Sequence, residues 1–280
     1  MEKSHHVLVS GAFDDLRLQD LLFLYCAART GKVTVYLWSD AVYRQIVGKQ
    51  PVFPLAERQY LLGAVRFVQQ IIVLETLGDP DHLPETAGEG ATWYIHVEEY
   101  NPRKGEYCDE RGIRLEVFDE EQTKIPALSQ EPLVPESRNK KVIVTGSFDW
   151  LHSGHVRFFE TCAGFGDLYV IVGHDENIRL LKGEGHPLFS QRERLFMVQS
   201  VRYVTRAFIS SGHGWMDASP EMDLIHPELY VVNEDGDIEE KRRFCMEHGI
   251  VYRVLKRLPK PGLPTRRSTD LRNGFSDPHR

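Results

Sequence analysis

The stretch VTGSFDWLHSGH, Val144 to His155, decides how this chain is read. Lys141 to Val144 (KVIV) is a short β-branched run of the kind that forms a buried strand. Gly146 then opens the chain into turn residues, and from Gly154-His155-Val156-Arg157-Phe158-Phe159 onward the apolar positions take helical spacing. His152 and His155 are thereby placed where a strand hands over to a helix N-terminus. The first N–H groups of a helix lack intrahelical partners and its dipole is positive at the same end, so this junction attracts anions. Two imidazoles one turn apart add donors whose charge can rise as negative charge builds on a phosphate. Gly154 lets that phosphate approach the backbone.

GSFDWLHSGH resembles the signature of the HxGH nucleotidyltransferases, the superfamily of cytidylyl- and adenylyltransferases, and is most similar to the cytidylyltransferases that make CDP-alcohols. The resemblance implies that Gly146, Ser147, Phe148, Asp149 and Gly154 contact the nucleotide while His152 and His155 hold the triphosphate. It also implies that Lys182, in LLKGEGHP, bridges the phosphates being joined, and that Asp235, in NEDGD, lies near the base and ribose. In Arg266-Arg267-Ser268-Thr269-Asp270-Leu271-Arg272 the hydroxyls of Ser268 and Thr269, with Arg272 one turn on, would hold the outer phosphates. Asp175 and Arg194 would face the acceptor. Mg²⁺ would arrive with the nucleoside triphosphate, and no residue is assigned as a metal ligand. Each residue also has a plainer reading: Lys182 as a solvated loop lysine, Ser268 as a helix cap, NEDGD as an acidic turn, and Arg194 as a helix-borne guanidinium pairing with carboxylates.

The chain carries this unit twice. Val7 to Asp20 (VLVSGAFDDLRLQD) lies over Val142 to His155 at an offset of 135. Val33 to Trp38 falls on Leu168 to Gly173, and Asp40 falls on Asp175. With a one-residue shift Pro51 to Arg58 falls on Pro187 to Arg194, and Trp93 to Glu98 on Leu229 to Glu234. Register over most of both halves indicates duplication of a whole domain. Each copy alternates β-branched runs with helix-periodic stretches, which predicts an α/β fold of two tandem Rossmann-like domains with parallel sheets related by a pseudo-two-fold axis. Strands are expected near Val142, Tyr169, Phe208, Tyr230 and Val251. Helices are expected after His155, around Arg192 to Val201, Met216 to Ile225, and Glu239 to His248. The domains are set at 1–128, degenerate, and 140–280, catalytic, with a Pro-containing polar linker at 129–139.

The copies differ where the chemistry lies. Arg17 and Asp20 stand at the histidine positions, and an aspartate at a helix start repels phosphate, so the first site is expected to be inactive. Lys182 falls on Val47 or Lys49, depending on where the shift is placed. The expected reaction is transfer of a nucleotidyl group, CMP by preference, to a small phospho-alcohol or phosphonate with release of pyrophosphate. The GSFDWLHSGH motif favours CTP, whereas the Ser-Thr-x-x-Arg spacing leans towards ATP-using adenylyltransferases. A rival reading is a nucleotide-binding regulatory protein without turnover.

Composition fits a soluble globular protein. Of 280 residues 41% are hydrophobic and 27% charged, and the net charge of −7 argues against non-specific nucleic-acid binding. No apolar run is long enough to span a bilayer and Met1-Glu-Lys-Ser-His-His lacks a signal-peptide core, so the expected compartment is the cytoplasm. Cys26, Cys108, Cys162 and Cys245 have no metal-site spacing and read as reduced core residues. A pseudo-dimer within one chain is expected, with further homo-oligomers open.

Overall fold

The computed structural model describes residues 5–76, 78–84, 90–119, 124–126 and 139–274, and the chain divides into units Met1–Ile125 and Pro126–Arg280. Of the segment expected as a linker only Asn139 is among the described residues.

The first unit runs β1 (His6–Gly11), α1 (Leu18–Thr30), β2 (Lys32–Trp38), α2 (Asp40–Val47), α3 (Leu55–Ala64), β3 (Val68–Leu74), β4 (Thr92–His96), α4 (Pro102–Arg111) and β5 (Arg114–Phe118). Its strands form a parallel sheet in the order β3-β2-β1-β4-β5. The second unit runs β6 (Lys141–Gly146), α5 (Ser153–Ala163), β7 (Asp167–Val172), α6 (Asp175–Lys182), α7 (Gln191–Gln199), β8 (Arg206–Ile209), α8 (Ser219–Ile225), β9 (Leu229–Asn233), α9 (Glu239–Glu247), β10 (Val251–Leu255) and α10 (Ser268–Gly274). Its parallel sheet has the order β10-β9-β6-β7-β8, the same topology as the first. The expected pair of Rossmann-like α/β domains is thus what the chain forms.

Central parallel strands are covered on both faces, which is why β6 and β7 are continuous apolar runs rather than alternating ones. Val142, Ile143, Val144, Leu168, Tyr169 and Val170 are all fully buried. All five strands and the four helices expected in the second unit are present, although the helix placed around Met216 to Ile225 begins at Ser219, after a 3-10 turn at Gly214–Met216. Helix α6 is additional. Its sequence DENIRLLK sets acids in the first turn and Arg179 and Lys182 in the last, matching the helix dipole, and the His174 ring caps its start.

One alignment is corrected by strand pairing. Val7 pairs with Thr92 in the first sheet and Val142 with Leu229 in the second, so Trp93 corresponds to Tyr230 rather than to Leu229. A one-residue slip would turn every side chain of the strand to the opposite face. The corrected register also matches Lys104 to Lys241. Each ammonium lies over the aromatic ring of its own β4 or β9, Lys104 at 5.5 Å from Trp93 and Lys241 at 5.9 Å from Tyr230. Before β4, the Asp81 carboxylate accepts from Lys104 at 2.7 Å and Asn101 at 2.8 Å.

Cys108, Cys162 and Cys245 are buried, Cys26 is half-buried, and none is in a disulfide. Among the described residues no helix is long and apolar enough to cross a membrane.

Candidate functional site

The loop from Gly146 to His152 joins β6 to α5 at the carboxyl end of the sheet, where parallel α/β folds place their ligands. Phe148 takes φ +48°, an uncommon conformation for a side chain of this size, and Phe13 takes φ +47° in the first unit. A Cβ on Gly146 would lie 2.9 Å from the Phe148 ring, so glycine is required at that step. Because the other copy shares this turn, Gly146 and Phe148 shape the loop.

Three further positions are also shared. The Asp149 carboxylate accepts from Leu188 N and Phe189 N, as Asp14 accepts from Val52 N and Phe53 N. Arg194, 0% exposed, donates to Phe189 O, Ser147 O, Gly173 O and Asp175 Oδ1 at 2.6–3.0 Å. Arg58, equally buried, donates to Phe53 O, Ala12 O, Trp38 O and Asp40 Oδ1. Arg194, Asp175 and Asp149 therefore form a clamp that the first unit keeps, which accounts for them structurally.

The groups found in one copy only converge on a single point. His152 is the N-cap of α5, and its Nδ1 accepts from Gly154 N at 3.0 Å, which puts the proton on Nε2. Its ring stacks on His155 with centroids 3.9 Å apart. His152 Nε2 and His155 Nδ1 are buried without a hydrogen-bond partner. Leaving such atoms unsatisfied costs about 1–3 kcal/mol each, so they mark a place where a ligand's oxygens belong. Burial holds both imidazoles neutral: it depresses the pKa of His155 to about 3, helped by Arg257 and Lys182, while His152 is lowered by burial, His155, Arg257 and Arg266. A backbone hydrogen bond to Trp150 pulls His155 the other way.

Lys182 is the last residue of α6, not a loop residue, and its Nζ donates to Ser147 Oγ at 2.7 Å. Since α2 ends at Val47, before a glycine cap as α6 does, Lys182 corresponds to Val47, and Ser147 to Ala12. Burial lowers the ammonium's pKa. Arg272 reaches back to Gly185 O at 2.8 Å and to the His186 ring, tying α10 to the loop after Lys182. Ser268 and Thr269 open α10. Asp235 lies in a 3-10 turn and is ion-paired with Arg257. A cleft of about 240 Å³ opens beside Gly154, between Arg157 and Phe158 of α5 and residues Leu255 to Leu258 at the end of edge strand β10, with Arg266 on its wall.

Sequence reading missed Arg257, Arg266 and His186. The first two sit in basic runs after a strand end, a signal that was present, whereas His186 is placed only by the fold.

In the first unit the same junction is closed. The Asp20 carboxylate accepts from Arg17 N at 2.8 Å, and Arg17 is ion-paired with Asp15. Burial pushes the Asp20 pKa up to about 6. The Asp20 carboxylate thus occupies a backbone donor at this helix start, at the position where the second unit has His155.

The profile of the family described as cytidylyltransferase-like matches residues 143–249. The chain is 34% identical over 119 residues to the FAD synthase of Methanocella paludicola, spanning 41% of this chain and 81% of that protein. It is 37% identical over 106 residues to the FAD synthase of Methanopyrus kandleri, spanning 36% of this chain and 67% of that protein. Over 66 residues it is 39% identical to the bifunctional protein HldE of Desulfatibacillum aliphaticivorans, which covers 23% of this chain and 14% of that protein.

Proposed function

The chain belongs to the cytidylyltransferase-like family of HxGH nucleotidyltransferases, and we propose that its second unit is an adenylyltransferase that joins AMP from ATP to the phosphate of a small acceptor. The observation that carries this reading is the stacked pair His152 and His155, with two buried, unpartnered nitrogens at a helix N-terminus. A phosphate oxygen at that point would accept from His152 Nε2–H, draw a proton onto the neutral His155 ring, and meet the positive end of α5. An acceptor phosphate oxygen would attack the α-phosphorus, the α–β bridging P–O bond would break, and pyrophosphate would leave with that electron pair. The attacking oxygen is already anionic, so no general base is required. The chain supplies position and charge: Lys182 and Ser147 between the reacting phosphates, the histidines on the triphosphate, and Ser268, Thr269 and Arg272 on its outer end. The cleft beside Gly154 suits the nucleoside, with Arg257 and Asp235 at its edge.

Base choice is where the sequence expectation changes. GSFDWLHSGH favours CTP, but the relatives above carry the name FAD synthase, and FAD is FMN joined to AMP through a pyrophosphate. ATP with FMN is accordingly the first pair to assay. Mg²⁺ would enter on the triphosphate. The test is pyrophosphate release by the full chain with ATP or CTP against FMN and a panel of phospho-alcohols. FAD formation from ATP supports the proposal. CDP-alcohol formation without adenylyl transfer would return the function to CTP, and nucleotide binding without turnover would leave a regulatory binder.

A further inference from the structure

A second cleft, of about 530 Å³, opens on the other side of the Arg194 clamp, where the ends of β7 and β8 meet α6. Its lining includes Asp175, Glu176, Arg179, Gln191, Ser211 and His213. Arg194 Nη2 holds Gly173 O and Asp175 Oδ1 on this side, while its Nη1 holds Ser147 O, so one guanidinium joins the cleft wall to the residue that meets Lys182. A phosphate at Lys182 and Ser147 would therefore have its organic part beside this cleft. Resting on the adenylyltransferase reading above, we infer that this cleft is the acceptor pocket and that it selects acceptors whose phosphate is carried on a polyhydroxylated chain.

The chemistry of the lining points to hydroxyls. A hydroxyl donates once and accepts from others, so a polyol needs carboxylates and amide or imidazole donors interleaved. Asp175 Oδ1 is taken by Arg194, and the other oxygen has no protein partner among the described residues. Gln191 accepts from Asp175 N through Oε1, and its NH₂ adds a donor to the lining. Glu176 adds a second carboxylate, and Arg179 and His213 further donors. Two carboxylates disfavour a second anion here, and Ile209 is the one aliphatic side chain in the lining, which disfavours a purely apolar body. His174 holds the rim: its Nδ1 caps α6 through Asn177 N, its Nε2 bonds Gly212 O at 2.8 Å, and its ring meets His213 edge-on at 5.3 Å.

The duplicated unit provides an independent argument. Leu37 and Val172 both pair opposite the last glycine of the central strand, so Trp38 corresponds to Gly173. The Trp38 indole reaches across the strand ends to donate to Ser10 Oγ at 2.9 Å, whereas the direction a side chain would take from Gly173 is filled by Ile178 and Asp217. Glu176 and Gln191 correspond to Ala41 and Leu55. Asp175 and Arg179 have counterparts in Asp40 and Arg44, whereas the carboxylate of Glu176 and the amide of Gln191 are found only in the copy that keeps the histidine pair.

The test uses the full chain with Gln191→Leu and His213→Ala, and reads acceptor and nucleotide separately. Calorimetry with FMN and with ribitol 5-phosphate is expected to show acceptor binding weakened tenfold or more in both variants, with the Kd for ATP unchanged. Butyl phosphate, which offers the phosphate without the hydroxyls, should bind wild type at least tenfold more weakly than ribitol 5-phosphate and be indifferent to the substitutions. Unchanged ribitol 5-phosphate binding in both variants, or butyl phosphate binding as tightly as the polyol, overturns the inference. Normal polyol-phosphate binding without ATP binding or turnover would instead remove the adenylyltransferase reading and leave the pocket in place.

Discussion

Lys182 Nζ and Ser147 Oγ, from the end of α6 and the loop after β6, meet at 2.7 Å, and neither residue has a polar counterpart in the first unit, where Val47 and Ala12 stand. The pair is therefore not part of the scaffold that the two units share, and we propose that it meets the reacting phosphates. Lys182→Met should lower kcat/KM by about two to three orders of magnitude, the typical loss for a preorganised group that meets transition-state charge, while the melting temperature stays within a few degrees of wild type. Activity within a factor of three of wild type would take Lys182 out of the reaction.

The histidine pair predicts a specific pH behaviour. His155 titrates near 3 in the folded chain against about 6.5 unfolded, so the folded state binds fewer protons. Its contribution to stability is full above pH 6.5 and declines as pH falls from there towards 3. The melting temperature of His155→Asn should accordingly fall less steeply than that of wild type between pH 6.5 and 4. A parallel decline would show that burial does not hold the imidazole neutral.

A triphosphate brought against these neutral rings raises their proton affinity. ATP binding at pH 6 should take up protons, seen as a binding enthalpy that varies with the ionisation heat of the buffer, and His152→Ala should reduce the uptake. An enthalpy independent of buffer would place the triphosphate elsewhere.

Arg194 and Arg58 make matching clamps, so their removal should act alike. Arg194→Ala and Arg58→Ala each strip the donors from three carbonyls and one carboxylate, which should destabilise the respective unit by about 3–5 kcal/mol in denaturant titration. If Arg194→Ala instead abolished turnover with no change in unfolding, the guanidinium would be a substrate ligand after all.

For the first unit, the raised pKa of Asp20 means that the folded state holds its proton more tightly, so this residue's stabilising contribution is present below pH 4 and is lost as pH rises through about 6. Asp20→Asn keeps an acceptor for Arg17 N and removes the half-buried charge. It should stabilise the chain at pH 8 and have little effect at pH 4, and equal effects at both values would refute the half-buried carboxylate.

The central strands and the HxGH junction were legible because both are local: a β-branched run, a glycine, and apolar residues at helical spacing. The register of β4 against β9 was not, since strands buried on both faces give no alternation by which to place a one-residue shift. Helix α6 was missed because eight residues with only Ile178 buried among its apolar side chains carry little periodicity. The role of Arg194 depends on backbone carbonyls, which no side-chain pattern encodes. The second cleft is assembled from three separate segments, 174–179, 191 and 209–213, and exists only once the sheet has formed.

The carboxylate of Asp20, folded back onto Arg17 N, amounts to a tethered inhibitor. One covalent turn of helix keeps this anion at an effective concentration of millimolar or higher beside the donor that a phosphate would need, and a diffusing nucleotide has to outcompete it at every encounter. We propose that the first repeat is closed to nucleotide for this reason.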